Sequence, residues 1–401
     1  MLSHQFHCSW IERLLSMTPE EVEMGTKDWR KALKSQPTYR IVNRTLRGQT
    51  HFVGFVAVTG VLLLIVLYSL PKQPNSANCG IMRYLYNHTY PLTPVLKSGN
   101  MYIYRIGIIA DLDTNSRNNQ KNMWVSYYKK GYLSFDHLTN KIVVSWDAGD
   151  PIKLTTSYAL KGRGMELSEL AVFDGRLLTF DDRTGMVFEI VGNNAIPWVI
   201  LLDGDGKKSK GFKSEWATVR NELLYVGSMG KEWTTPSGEF ESNDPQYVKV
   251  IAVNGLVQSL KWVDNYERLR EILGIHWPGY MIHESGVWSE IHEKWFFLPR
   301  RCSKDPYNET LDEYRGCSWL ISADSNFYRT EATQIPTKSK TRGFSSFKFI
   351  PDTDDSVIVA LRTEELNGST STYITVFTIT GTVYLDDTYI SNVKYEGLEF
   401  V

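Results

Sequence analysis

The amino-acid sequence predicts an all-β fold, a β-propeller, standing behind one transmembrane helix. Three observations predict it: an uncharged apolar run near the N-terminus, a succession of short strands broken by turns, and five weakly similar stretches along the remainder. Composition agrees with a folded chain. Of 401 residues, 42% are hydrophobic and 22% charged, ordinary for a globular protein and unlike a disordered one. Aromatic residues reach 13%, which favours strands. Basic and acidic side chains nearly cancel, 44 against 45, so no electrostatic footprint for a nucleic acid exists.

Phe52 to Leu70 is a run of 19 uncharged residues, long enough at ~1.5 Å per residue to cross a ~30 Å hydrocarbon core. Lys31, Lys34, Arg40, Arg44 and Arg47 precede it with no acid between them, and Lys72 is the first charge beyond it. This asymmetry puts residues 1–50 in the cytosol as a tail and makes 51–70 a signal anchor. The rest of the chain is then lumenal or external. The sequons at Asn87, Asn308 and Asn367 all fall on that side, whereas Asn43 does not. Residues 71–97 hold Pro71, Pro74, Pro91 and Pro94 and suit an extended stem, leaving 98–401 as the folded domain.

Strand signals then follow one another: Tyr104–Ala110, Arg176–Phe180, Met186–Val191, Trp198–Leu202, Tyr247–Val253 before Asn254-Gly255, and Tyr373–Thr380. One short helix is predicted over Tyr266–Leu273, capped by Asp264 or Asn265 and stopped by Gly274.

Beneath the strands lies a repeat. GMELSELAVF, FKSEWATV, MIHESGVW, GFSSFKFI and the terminal KYEGLEFV each bring a small or acidic residue into an apolar strand. The aligned positions are Ser168, Glu215, Glu284, Ser345 and Glu396. Spacings of about 60 residues accommodate one four-stranded blade with generous loops. A chain that ends inside a repeat makes sense in a closed ring, its last strand completing a blade begun near residue 103. A β-sandwich is the competing fold, but it gives no reason for one register to carry these side chains.

In a propeller the first strand of each blade lines the central channel, so the five residues would converge there. Three converging carboxylates are costly to desolvate unless a cation sits among them. An all-oxygen ring suits Ca²⁺, with 6–8 ligands at ~2.3–2.6 Å. The competing reading is five solvated residues at strand ends.

Eight stretches now identify the chain as similar to the calcium-activated nucleotidase (apyrase) family: IADLDT (109–114), KGRGMELSEL (161–170), DDRTG (181–185), PWVILLDGDG (197–206), GKEWTT (230–235), WFFLPRR (295–301), GFSSFKFIP (343–351) and VKYEGLEF (393–400). The resemblance runs from about Tyr84 to Val401. It implies a five-bladed β-propeller with a central calcium site that hydrolyses nucleoside di- and triphosphates, with UDP and GDP preferred, UTP and GTP also cut, and monophosphates spared. Its calcium ring falls on Ser168, Glu215, Glu284, Ser345 and Glu396, the positions the repeat supplies. It also implies a single-pass type II protein of the ER or Golgi, monomeric or homodimeric, or a soluble form released by stem cleavage. The role implied is removal of inhibitory diphosphates left by glycosyl transfer, in support of glycosylation and proteoglycan synthesis. Cys302 and Cys317 depart from the vertebrate pattern; they are close enough to pair in an oxidising lumen, whereas Cys8 and Cys79 have no evident partner.

Hydrolysis of a phosphoanhydride needs neutralised phosphate charge, a placed water and a group to orient it. Asp113 or Asp111 is expected to serve as base or to orient the water, with Asp182 as third choice. Lys161 and Arg163 in a glycine-flanked loop, with Arg300 and Arg301 after an aromatic strand, are the candidate phosphate contacts. On pattern alone each is more often a surface ion-pair partner; the resemblance reverses that for Arg163 and Arg300. Lys231 and Trp233 are candidate nucleotide contacts, Trp233 by stacking on a base, with packing under a loop as its alternative. A calcium-stabilised propeller that binds without turnover is the alternative function. No zinc-protease spacing, Walker A, G-x-S-x-G or G-x-G-x-x-G pattern is present.

Overall fold

A computed structural model describes residues 40–41, 44–45, 58–62, 85–118 and 122–401. The chain divides into two compact units, Met1–Tyr84 and Leu85–Val401. In the first unit, Arg40–Ile41 pairs antiparallel with Arg44–Thr45, and residues 58–62 are helical. Among the described residues no helix is long and apolar enough to cross a membrane. The anchor expected over 51–70 lies outside the described residues apart from 58–62, and so do Cys8, Cys79 and most of the cytosolic tail.

The second unit is all-β and propeller-like. Four antiparallel four-stranded sheets follow in chain order. The first runs Leu167–Phe173, Arg176–Asp181, Met186–Val191, Asn194–Ile200; the second Trp216–Arg220, Leu223–Gly227, Tyr247–Ile251, Val257–Lys261. The third runs Tyr280–Ser289, Lys294–Ser303, Trp319–Asp324, Thr330–Gln334; the fourth Gly343–Phe349, Val357–Leu366, Ser369–Thr378, Val383–Ser391. A closing sheet joins the ends of the unit: the last strand, Tyr395–Phe400, pairs with Met101–Ala110, which pairs with Met123–Asp136.

That closing sheet has seven strands and so departs from the regular four-stranded blade. Leu96–Ser98 adds a strand beside Met101–Ala110 and Arg117–Asn118 adds one beside Met123 and Trp124, and the third addition comes from the 14-residue length of Met123–Asp136. One half pairs with Lys141–Trp146 and the other with Ile152–Thr156, so two short strands share one outer position.

The first strands of successive sheets pack in a cycle, ending with Tyr395–Phe400 against Leu167–Phe173. A separate apolar core fills each gap between neighbouring sheets. Phe173, Phe180, Phe212 and Val226 lie between the first two; Trp216, Trp262, Trp295 and Phe297 between the second and third. Phe296, Phe347 and Ile358 follow, then Ile108, Val359 and Leu398, then Ile109, Leu167 and Phe188 back at the first sheet. Much of the chain's aromatic content is spent in these wedges, where large flat side chains span two sheets.

Two boundaries differ from expectation. The helix spans Val263–Glu271, three residues earlier than predicted, because the Tyr266 amide bonds to the Trp262 carbonyl and Tyr266 and Leu269 are drawn into the tryptophan core. The folded unit begins at Leu85, inside the expected stem. Asn87 N–H donates to Asp174 Oδ1 (2.8 Å), the Tyr86 ring meets Phe173, and Tyr90 donates to Glu399 (3.0 Å), so this segment is docked. Cys302 and Cys317 form a disulfide with Cα atoms 5.2 Å apart.

Candidate functional site

Ser168, Glu284, Ser345 and Glu396 lie in the first strands of their sheets, and Glu215 lies one residue before its own. The four within strands each occupy a break in the ladder. Glu169 opposes Phe180 and Leu167 opposes Asp181, which leaves Ser168 as the extra residue. Ser345 is extra between Phe344 and Ser346, and Glu396 between Tyr395 and Gly397. Glu284 falls in the shift between His283 and Gly286. Glu215 donates its N–H to the Gly227 carbonyl (2.8 Å), the residue that Trp216 also opposes. A β-bulge bends the strand and re-aims one side chain, so the irregularity in four of the sheets turns the same register out of the pleat.

The ring offers three carboxylates and two hydroxyls, with no nitrogen or sulfur. Such a set fits a hard divalent cation. Its carboxylates feel one another. Burial and then the nearby Glu284 push Glu215 up to about 8 against the pull of Lys213, and burial and Glu284 likewise raise Glu396 well above the carboxylate range. Ser168 donates to the Ser214 carbonyl (2.5 Å), keeping its oxygen lone pairs available as acceptors.

Around this ring runs one continuous chain of ion pairs. Lys213 Nζ holds Glu215 (2.5 Å) and Asp182 (2.5 Å); Arg183 links Asp182 (3.6 Å) to Glu166 (3.0 Å). Arg163 links Glu166 to Asp113 (3.7 Å), and Lys394 holds Asp113 (3.0 Å), Asp111 (3.1 Å), Glu365 (3.5 Å) and Glu396 (3.3 Å). Arg300 closes the sequence, pairing with Glu396 (2.6 Å), Glu365 and Glu284. Arg300 is itself a bulged residue, standing between Arg301 opposite Ile282 and Pro299 opposite His283. Its side chain fits because position 343 is glycine: a Cβ there would lie 2.4 Å from Arg300 Cγ.

Among the described residues, Asp111, Asp113 and Glu166 are the three acids whose ligand oxygens come within 4.8 Å of one another. Arg163, Arg183 and Lys394 already bind them. Burial raises Asp111, but Lys394 and the Asp113 amide outweigh it and hold Asp111 below the usual range. Asp113 goes the other way, raised by burial and by Asp111 beside it.

Next to the ring, a cavity of about 390 Å³ is lined by Glu284, Arg300, Arg301, Lys394 and Glu365, with Tyr307 and Asp312 on its far wall. Arg301 reaches the Thr341 carbonyl (2.7 Å). The disulfide joins the strand carrying both arginines to the end of the segment that supplies Tyr307 and Asp312.

The structure therefore connects Glu215, Glu284, Glu396, Asp111, Asp113, Asp182, Arg163 and Arg300 in one network of ion pairs, with Arg301 lining the adjoining cavity and Ser168 and Ser345 at the matching register of their own sheets. It does not bring Lys161 into the ion-pair chain; that side chain is exposed in the turn closed by the Leu160 and Arg163 backbones. Trp233 packs with Met229, Tyr280, Ile282 and Tyr307, its ring covered by Lys210 Nζ at 4.1 Å, which is the loop-packing alternative. Lys231 is buried, donates to Thr234 (2.9 Å), and is lowered to about 8 by desolvation. Sequence reasoning missed Lys213, Lys394, Glu166, Arg183 and Glu365. A signal existed for three of them: Glu166, Lys213 and Lys394 each stand two residues before a ring position, inside the aligned stretches.

Known proteins match most of this chain. The apyrase family model matches residues 112–401. Proteins called soluble calcium-activated nucleotidase 1 from Mus musculus and Rattus norvegicus are 48% and 50% identical over 360 residues, covering 87% of this chain and 89% of theirs. An apyrase of Cimex lectularius is 45% identical over 368 residues, covering 91% of this chain and 99% of its own.

Proposed function

The chain belongs to the apyrase family and is a nucleotide hydrolase, and from that premise we propose a calcium-dependent enzyme that converts nucleoside di- and triphosphates to monophosphate and phosphate, with UDP and GDP preferred. The observation that carries the proposal is the set of five oxygen-bearing side chains at one register of five successive sheets, four of them at a register shift and Glu215 directly ahead of its strand. The closing sheet is the fifth blade, its outer strand split in two.

Calcium held by Ser168, Glu215, Glu284, Ser345 and Glu396 would supply positive charge to the phosphate oxygens. The chain's own groups do the rest. Arg300 and Arg301 present guanidinium groups along the cavity wall, suited to the phosphates of a bound nucleotide. Asp113 is the group to take the proton of the attacking water: its side chain is 45% exposed and its basicity is raised, whereas Asp111 stays charged and anchors Lys394. The water oxygen joins the terminal phosphorus, the bridging P–O bond breaks, and the nucleotide leaves one phosphate shorter.

The lumenal placement is part of the same proposal. Asn87, Asn308 and Asn367 are exposed, a disulfide is present, and Val58, Val61 and Leu62 within the expected anchor are exposed apolar side chains. Phosphate release by the full-length chain, compared in calcium, magnesium and chelator, tests the reaction; release undiminished by chelator refutes the metal's role. Protease protection in sealed microsomes tests the placement, and digestion of the folded unit from outside refutes it.

A further inference from the structure

We propose that Lys213 and Lys394 are phosphate-binding residues held in reserve: each neutralises a ring carboxylate until a divalent cation claims that carboxylate, and only then turns to the nucleotide, so that cation must bind before substrate. The proposal rests on the nucleotidase reading and adds to it two binding residues and an order of events.

The two lysines occupy equivalent places. Each stands two residues before a ring glutamate and reaches forward to that glutamate's Oε1, Lys213 to Glu215 at 2.5 Å and Lys394 to Glu396 at 3.3 Å. Each also holds an aspartate from outside the ring, Asp182 at 2.5 Å and Asp111 at 3.1 Å. The arrangement thus occurs twice around one axis.

A cation bound through the same oxygens makes incompatible demands on them. A divalent ion and an ammonium sharing one carboxylate oxygen repel at contact distance, in a buried setting that screens them poorly. The ammonium is the partner that can leave. A lysine head is a point charge on a flexible four-carbon stem and needs no backbone movement to swing. Both stems have somewhere to go: the Lys213 and Lys394 side chains are 22% and 12% exposed, against 3% and 4% for the glutamates they hold. Lys394 also lines the cavity that holds Arg300 and Arg301.

The charge balance of the whole chain of ion pairs sets the order. It contains the carboxylates of Asp111, Asp113, Asp182, Glu166, Glu215, Glu284, Glu365 and Glu396, but only five cations: Arg163, Arg183, Lys213, Arg300 and Lys394. Every one of those cations is engaged, and the acids outnumber them. A diphosphate approaching this surface meets more acidic than basic side chains, with Arg300, Lys213 and Lys394 all already bound to carboxylates. A divalent ion in the ring reduces the excess and releases two ammoniums together. Activation by a cation would then act on substrate binding as well as on chemistry.

The test measures binding without turnover. A methylene-bridged GDP analogue, which cannot be cut at the bridge, is titrated calorimetrically into the full-length protein in calcium and in chelator. Binding should be at least about tenfold tighter in calcium, and by reciprocity the analogue should tighten calcium by the same factor. Equal affinity in the two conditions overturns the proposal without needing any variant. In Lys213→Met and Lys394→Met, calcium alone should bind more tightly, because a competitor is gone, while the analogue in saturating calcium should bind about tenfold or more weakly. Calcium binding that weakens, or analogue binding that is unchanged, overturns it. If the wild-type chain releases no phosphate from any nucleotide in calcium, the nucleotidase reading itself fails; if it hydrolyses but binds the analogue regardless of calcium, only the exchange fails.

Discussion

Gly343→Ala adds one methyl group, yet it should damage the site more than most substitutions of a ring residue's neighbour. Gly343 begins the first strand of the fourth sheet and its backbone is extended, so alanine brings no conformational strain. The obstacle is steric. The new Cβ would lie 2.4 Å from Arg300 Cγ, 2.4 Å from the Arg300 carbonyl oxygen and 3.0 Å from its carbonyl carbon. Ordinary carbon contacts are about 3.5 Å, so relief requires the third and fourth sheets to part by about 1 Å at this point. Overpacking of this kind costs about 1–3 kcal/mol of stability. The catalytic cost is larger, because Arg300 is what moves. Its bonds to Glu396, Glu284 and Glu365 align it with the cavity, and a displacement near 1 Å lowers rates by about 100-fold. Urea unfolding and kcat/KM for UDP in calcium measure the two effects separately. A double-mutant cycle sharpens the reasoning. Arg300→Ala removes the Cγ contact while keeping the carbonyl, so Gly343→Ala should cost less in that background, with a coupling of about 0.5–3 kcal/mol. Wild-type kinetics for Gly343→Ala, or strict additivity with Arg300→Ala, would refute the account of why this position is glycine.

Two further outcomes follow from groups that are not ring members. Glu169 is fully buried and pushed up to about 7, first by desolvation, with Lys348 3.4 Å away pulling it back only in part. An acid raised in the folded state stabilises fully below its ordinary value of 4.5, and that contribution is lost as pH rises through about 7. Wild-type stability should therefore fall relative to Glu169→Gln between pH 5 and 8, by at most about 3 kcal/mol; parallel pH profiles from urea titrations would contradict this. Replacing Cys302 and Cys317 together by serine opens a link across 15 residues and should lower the unfolding free energy by about 3 kcal/mol. An unchanged urea midpoint would show the disulfide to be energetically silent.

Fold and site were unequally visible in the sequence. The repeat identified the five first strands, and ring closure through Tyr395–Phe400 pairing with Met101–Ala110 followed from where the last repeat stops. Strand identity carried well because inner strands are buried on both faces and mostly apolar: Leu167–Phe173, Gly343–Phe349 and Tyr395–Phe400 are buried along their whole length. Boundaries carried less well. The edge strand starts at Asn194 although Pro197 and exposed residues fill it, since an outermost strand loses no ladder bond to a proline facing solvent. The docking of Leu85 to Tyr90 was invisible for a different reason: its contacts, with Asp174 and Glu399, reach across 87 and 309 residues, where no local pattern can register them.

The site shows the same divide more sharply. Ring residues stand out because an acid or hydroxyl inside an apolar strand breaks a pattern five times over. Lysines two residues earlier do not, since a charge at a strand entrance is the commonest thing a surface strand can have. What distinguishes Lys394 from an ordinary surface lysine is the bulge that follows it. In an unbroken strand, residues two apart face the same way at a fixed spacing; with an extra residue inserted, the side chain before the break and the one at it converge. At Glu396 the bulge therefore has two consequences from one irregularity: it takes the glutamate out of the regular pleat, and it brings Lys394 onto that glutamate's oxygen. Oxygen ring and counter-ions are not separate devices that happen to meet. A substitution that straightened the strand at Glu396, restoring regular pairing to Ala110 and Ile109, should disrupt calcium binding and the Lys394 contacts together, though it would alter neither side chain.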